Sequence, residues 1–238
     1  MKVAVLISGL LRTYKKSFPT FKKFVIDENP HISFDFYLSP WDLTHTRADR
    51  VQEKTSLSDK DFEDLVHTYT PKKINVLEYE KHRADILNDT QNKGIYEILK
   101  KRIPSYGENF IWNSHFMAHQ GMLLNYQHFV DSGGLDEGYD LIMKTRFDLN
   151  YSKVLSGNID PDIINCCKPV GGQMLNNLIA ISKPELMEKY FQTYSSLTSE
   201  GWVLKNTNVY FPECLVREHL NVNGVKYDHS IDPCTIIR

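Results

Sequence analysis

Cysteine is scarce in this chain, four in 238 residues, and its spacing excludes more than its number does. Cys166 and Cys167 are adjacent, Cys214 and Cys234 stand apart, and none falls in a CxxC or other zinc-type spacing. Adjacent cysteines rarely form a useful bridge, so reduced thiols in a cytoplasmic protein are the expectation. Long apolar runs are lacking too: none approaches the eighteen or so residues that a membrane span needs. The N-terminal run from Val3 to Leu11 is interrupted by Gly9, closed by Arg12 and followed by no small-residue cleavage site. It reads as a strand rather than a signal peptide. There is no basic excess either. With 28 Lys and Arg against 30 Asp and Glu, the formal net charge of −2 gives no electrostatic basis for binding nucleic acid. Internal repeats and low-complexity segments are absent.

What is present is an ordinary globular composition, 41% hydrophobic and 24% charged, with thirteen Tyr and twelve Phe that suit a large core or a ring-stacking site. The length fits one α/β domain with excursions. Val3 to Ser8 is a continuous β-branched and apolar run, the pattern of a strand buried on both faces. Phe18, Phe21, Phe24 and Val25 follow at helical spacing. Further strands are expected at Phe34 to Ser39, Ile74 to Tyr79, residues 139–148 and Leu178 to Ser182. Ser58 with Asp61 signals a capped helix to Tyr69. Trp112 to Val130 reads as the longest helix, ended by Gly133-Gly134. Helices are also expected at Pro184 to Leu197 and Pro212 to Leu220. The polar stretch from Lys81 to Asn109 is expected to hold one short helix in an excursion. Strands alternating with helices imply a single domain built on a mostly parallel sheet flanked by helices.

Ligands in such sheets bind at the carboxyl ends of the strands, and three of the expected strands end in polar signals. The first runs into ISGLLRTY, which offers the Ser8 hydroxyl, the Gly9 backbone, the Arg12 guanidinium and Thr13 before a helix. That set suits a phosphate, although it is neither GxGxxG nor GxxxxGK[ST], and an ordinary strand-to-helix turn uses the same residues. The second ends at Pro40-Trp41-Asp42. The third is YDLIMKTRFDLNY, residues 139–151, where an apolar run gives way to Lys144, Arg146 and Asp148 at alternate positions. These form either a surface ion pair at a strand end or the edge of a site for an anion. His115 and His119 stand four apart on a helix but do not make HExxH, and core histidines explain them as well as a metal does. Glu213 follows Pro212 at a helix start. It either complements the helix dipole or serves as a general base.

Tyr139-Asp140-Leu141-Ile142 followed by Lys144-Thr145-Arg146-Phe147-Asp148 resembles a signature of small GT-A fold glycosyltransferases from surface-polysaccharide gene sets and large DNA viruses. KVAVLISGLLRTY resembles their first strand and nucleotide loop, FYLSPWD their second strand, and NNLIAISKPELMEKY with FPECLVREHL their acceptor-side region. The resemblance implies a GT-A type Rossmann-like domain, with residues 1–150 as the nucleotide-sugar half and 151–238 as the acceptor-side half. It implies transfer of a sugar from a nucleotide-diphosphate donor to a glycan or other hydroxyl acceptor in polysaccharide biosynthesis. Ser8, Gly9, Arg12 and Thr13 would bind the nucleotide, and Asn177 would contact substrate. Trp41 and Asp42 would touch the donor or hold the strand end. Asp148 aligns with the last carboxylate of the DxD motif that holds Mn²⁺ or Mg²⁺, while Arg146 stands in place of the first and itself neutralises diphosphate charge. Glu213 would be the general base of an inverting transfer. A nucleotide-phosphosulfate sulfotransferase shares the N-terminal loop but does not call for the RxD strand. A non-enzymatic sugar- or nucleotide-binding module accounts for the aromatics but not for three polar strand ends.

Overall fold

A strand that is apolar at nearly every position must be covered on both faces, and β1 (Lys2–Gly9, KVAVLISG) imposes this on the whole chain. The computed structural model describes residues 1–11, 13–44, 55–105, 108–152, 159–168, 176–206, 211–231 and 234–237. In it β1 joins a seven-stranded sheet with β2 (Ser33–Pro40), β3 (Lys73–Ile74), β4 (Leu141–Thr145), β5 (Ile164–Cys167), β6 (Asn176–Ser182) and β7 (Tyr227–Ile231). The order across the sheet is β7-β5-β6-β4-β1-β2-β3. Pairing is parallel for β1 with β2 and β4, β2 with β3, and β5 with β7, whereas β6 runs antiparallel to both its neighbours. The mostly parallel α/β sheet flanked by helices expected from the sequence is the one observed.

Alternation sorts the side chains into two layers. Val3, Val5, Ile7, Leu141 and Met143 pack with Phe21, Val25, Leu65 and Tyr69. Those partners come from α1 (Tyr14–Phe21, continued by a π-helical turn to Asp27) and α2 (Asp59–Tyr69). Ala4, Leu6 and Ile142 pack on the other face against Met122, Tyr126 and Phe129. A third cluster is built by α3 (Tyr79–Asn88) and α4 (Thr90–Arg102), whose Ile86, Ile95, Tyr96 and Leu99 meet Trp112 and Phe116.

Three expectations are corrected here. The polar stretch after Lys81 holds two helices rather than one, and Asp89 starts the second by accepting the Asn92 N–H at 2.8 Å. The strand expected at Ile74 to Tyr79 pairs continuously only over Lys73–Ile74, with an isolated parallel bridge of Leu77 to Trp41 beyond it. Asp42 Oδ1 takes the Tyr79 N–H at 2.9 Å, and Tyr79 opens α3 instead. The strand expected to run through Asp148 ends at Thr145. A turn follows, and Leu149–Asn150 then pair with Thr235–Ile236. The long helix is continuous from Glu108–Ile111 through a π-helical turn at Trp112–Met117 into α5 (Ala118–Asp131). Pro184–Phe191 forms α6 and Pro212–Val222 forms α7.

The capping box of α2 is complete: Ser58 Oγ accepts the Asp61 N–H at 3.2 Å, and Asp61 Oδ2 accepts the Ser58 N–H at 3.3 Å. Ser58→Ala should therefore lower stability by about 1 kcal/mol in urea denaturation. An unchanged midpoint would show that α2 is held by packing alone.

Candidate active site

The chain leaves β1 for β2 on one side and later returns to place β4 on the other. The β1/β4 boundary is thus a switch point in the strand order, where the loops diverge and leave a crevice. Ile7 lies beside Leu38 and Thr145, so Ser8 and Gly9 stand level with the residues that follow β4. A cavity of about 130 Å³ opens there, with walls from Ser8 and Gly9, from Trp41 after β2, from Lys144, Arg146 and Asp148, and from Asn113, Ser114 and His119 across the sheet. Gly9 has φ 126°, and a Cβ added to it would meet nothing within 4 Å. Glycine both permits that conformation and leaves the backbone open to a ligand. The Trp41 N–H donates to the Gly9 carbonyl at 3.1 Å, tying the two strand ends together. On α5, Gly121 lacks the Cβ that would lie 3.2 Å from the Trp41 ring, so the buried indole can come up against the helix. Tyr79 meets Trp41 edge-on at 5.6 Å and donates its hydroxyl proton to Asn113 Oδ1.

The electrostatics of the cavity are set by β4 and the turn after it. Arg146 donates from Nε to Asp148 Oδ1 at 2.9 Å and from Nη2 to Oδ2 at 2.8 Å. The Arg146 side chain is 31% exposed and that of Asp148 only 3%. Burial disfavours the charged guanidinium, but the charge and hydrogen bonds of Asp148, then the charge of Glu213, hold its pKa above the ordinary value. Lys144 lies on the same face of the sheet as Ile142 and is buried, with Nζ 3.5 Å from the Leu178 carbonyl. Burial, and then the charge of Arg146, push its ammonium down to about 7, against the opposing effect of the thiols of Cys166, Cys234 and Cys167. His119 is buried, its Nδ1 lying 2.9 Å from the His115 carbonyl. An acceptor there places the proton on Nδ1, so Nε2, buried and with no hydrogen-bond partner among the described residues, is a bare acceptor.

Of the residues singled out in the sequence, Ser8, Gly9, Trp41, Arg146 and Asp148 share this cavity. Thr13 does not: its hydroxyl reaches the Ile237 carbonyl at 3.5 Å. Asp42 is occupied in starting α3. Glu213 is half-buried in the first turn of α7, outside the wall but close enough for its charge to act on Arg146. Arg12 lies outside the described residues, as does the side chain of Asn177 on β6. Tyr139 and Asp140 work at the opposite end of the sheet, where the Tyr139 hydroxyl donates to Asp35 at 2.8 Å and Asp140 accepts the Lys2 N–H at 2.6 Å. Lys144, Tyr79, Asn113, Ser114 and His119 were not assigned to the site from sequence. Lys144 carried a signal in its alternation with Arg146, and His119 carried one in its spacing from His115, which reads as a metal pair or as core histidines; Tyr79, Asn113 and Ser114 carried none.

Among the described residues no group of three or more His, Cys, Asp or Glu side chains is arranged to hold a metal ion. Asp148 is the one carboxylate among the described residues of the wall, and both its oxygens accept from Arg146. A hard divalent cation needs several oxygen ligands, and here it would compete with a guanidinium for the same two. The donors among the described residues of the wall do not fit such a metal.

No protein-family model matches the chain, and no curated protein matches it. Solved structures similar to it include the galactosyltransferase LgtC in complex with donor and acceptor sugar analogs, at 11% identity and TM-score 0.43 over 95% of this chain and 73% of that one. The PaToxG glycosyltransferase is similar at 12% identity and TM-score 0.40, over 93% and 69% of the two chains. Mouse xyloside xylosyltransferase 1 in its apo form is similar at 10% identity and TM-score 0.39, over 94% and 82%. Similarity this distant assigns no activity.

Burial pushes His119 down to about 3 from the ordinary 6.5, and His128 and His219 are lowered by the same cause. The unfolded chain takes up protons that the native state excludes. This stability is therefore full above pH 6.5 and is lost as the pH falls from there toward 3. Between pH 7 and pH 5 the His119 share should be about 2 kcal/mol in urea denaturation, and His119→Gln should flatten the profile by that amount. An equal slope in wild type and variant would mean that His119 exchanges protons freely in the native state.

Proposed function

We propose that the protein is a glycosyltransferase that moves a sugar from a nucleoside-diphosphate donor to the hydroxyl of a glycan or similar acceptor. One observation carries this: the polar carboxyl ends of β1, β2 and β4 converge on a single cavity at the switch point of the sheet, and that cavity presents Arg146 and Lys144. Two cations beside an open glycine backbone suit a diphosphate. The cavity, about 130 Å³, suits that group and not a whole donor, since pockets enclosing a complete ligand run to roughly 300–1,000 Å³. The nucleoside and sugar would extend beyond it.

In this reading residues 1–150 carry the donor and residues 151–238, with Asn177, the acceptor. The bond between the anomeric carbon and the diphosphate oxygen breaks as the acceptor oxygen bonds to that carbon. The negative charge that develops on the departing diphosphate is stabilised by cations already in place. Glu213 takes the proton from the acceptor hydroxyl, and attack from the face opposite the leaving group inverts the anomeric centre. No helix among the described residues is long and apolar enough to cross a membrane. We place the enzyme in the cytoplasm, acting in polysaccharide assembly on acceptors met in solution or at a surface.

A thermal-shift screen of UDP, GDP and adenosine 3′,5′-bisphosphate tests the donor class. A nucleoside diphosphate at a hundred times its Kd should add about 2.7 kcal/mol of stability. Stabilisation by the adenosine bisphosphate alone would point to sulfate transfer instead, and stabilisation by none would remove the nucleotide site. Glu213→Gln should bind the diphosphate normally yet release no nucleotide from a donor sugar when acceptors are supplied. Near-normal turnover by this variant would return Glu213 to the helix dipole.

A further inference from the structure

We infer that Lys144 and Arg146 replace the divalent cation at the diphosphate, so that donor binding needs no metal, and that Asp148 positions Arg146 rather than ligating an ion. The inference rests on the nucleoside-diphosphate reading and concerns the same cavity.

Two cationic side chains and one carboxylate line the wall among its described residues, and the carboxylate is already committed. The fork of Nε and Nη2 on Asp148 fixes the plane of the guanidinium, while Nη1 has no hydrogen-bond partner among the described residues. A planar donor held in one orientation with N–H groups to spare is suited to an anionic oxygen. Lys144 supplies the second charge from the floor of the cavity, one alternation back along β4, where Leu6 and Ala180 are its neighbours across the sheet. A ligand that brings two negative charges to Ser8 and Gly9 meets both cationic side chains in the same wall, and the charge that arises as the sugar leaves falls on those two. Asp148, 3% exposed, is too enclosed by its own ion pair to offer an oxygen to a metal without releasing Arg146.

Calorimetric titration of UDP and GDP into the full chain, in EDTA and in Mn²⁺, tests this directly. At pH 6, below the value of about 7 to which Lys144 is pushed, both cations carry their charge, and wild type should bind one of the nucleotides with dissociation constants that agree within about threefold in the two conditions. Lys144→Met should weaken binding roughly 10- to 100-fold in both, the loss of one charged hydrogen bond. Lys144→Gln, which keeps a donor without the charge, serves as the second variant should Lys144→Met melt below the assay temperature. Asp148→Asn should weaken binding by one factor whether or not Mn²⁺ is present, and Asp148→Glu should restore most of the loss. Binding that demands Mn²⁺, or a Lys144→Met protein that binds like wild type in EDTA, would overturn this inference and leave the donor reading standing. Failure of every nucleoside diphosphate, with and without Mn²⁺, would overturn both.

Discussion

Parallel pairing of β1 with both β2 and β4 is the constraint on which the rest of the molecule depends. Parallel strands carry their carboxyl ends to one edge of the sheet, and their long crossovers must cover its two faces. Val3, Val5 and Ile7 are therefore sealed by α1 and α2, and Ala4 and Leu6 by α5. Past the last paired residues there is no strand left to fill the edge. Ser8, Gly9, Trp41 and the turn after β4 meet around a space because the sheet stops there while the helices do not.

The turn after β4 is held from several directions at once. Phe147 enters the core beside Tyr69. Tyr151 shares a hydrogen bond of 2.6 Å with Thr145, and the Asp148 carbonyl accepts the Ile237 N–H at 2.8 Å. The C-terminal segment thus clamps the turn through the short pair of Leu149–Asn150 with Thr235–Ile236. Cys234, which opens that segment, packs with its Sγ 3.3 Å from that of Cys167. All four cysteines are buried and unbridged. A carboxylate enclosed this far is not the exposed surface pair that contributes 0–1 kcal/mol; removing one partner of a buried pair costs several times more. Arg146 is accordingly rigid, and rigidity is what a group needs if it is to stabilise charge without reorganising.

Elements with a strong periodic signature were legible in the chain. β1, β2 and the helix opening at Ser58 lie where their apolar patterns and capping residues put them, within a residue or two. The pair α3 and α4 reads in the sequence as one short helix because the polar residues of both helices outnumber the apolar ones that hold them to Trp112 and Phe116. The reach of the strand through Asp148 was overestimated, since alternation of Arg146 and Asp148 looks the same in a strand and in a turn that closes an ion pair.

By itself the sequence determined which strands are buried on both faces, which helices are capped, and that polar groups gather where three strands end. These are local facts, written in periods of two and 3.6 residues and in the chemistry of single side chains. Only the tertiary structure decided that those three ends face one cavity, because strand order depends on crossovers far apart in the chain. Only it decided that Asp148 belongs to Arg146 and that Lys144 and His119 look into the same space, since contact between groups from different elements is not a property of either element. The charge a buried group can carry follows from what surrounds it, and the surroundings exist only once the chain has folded.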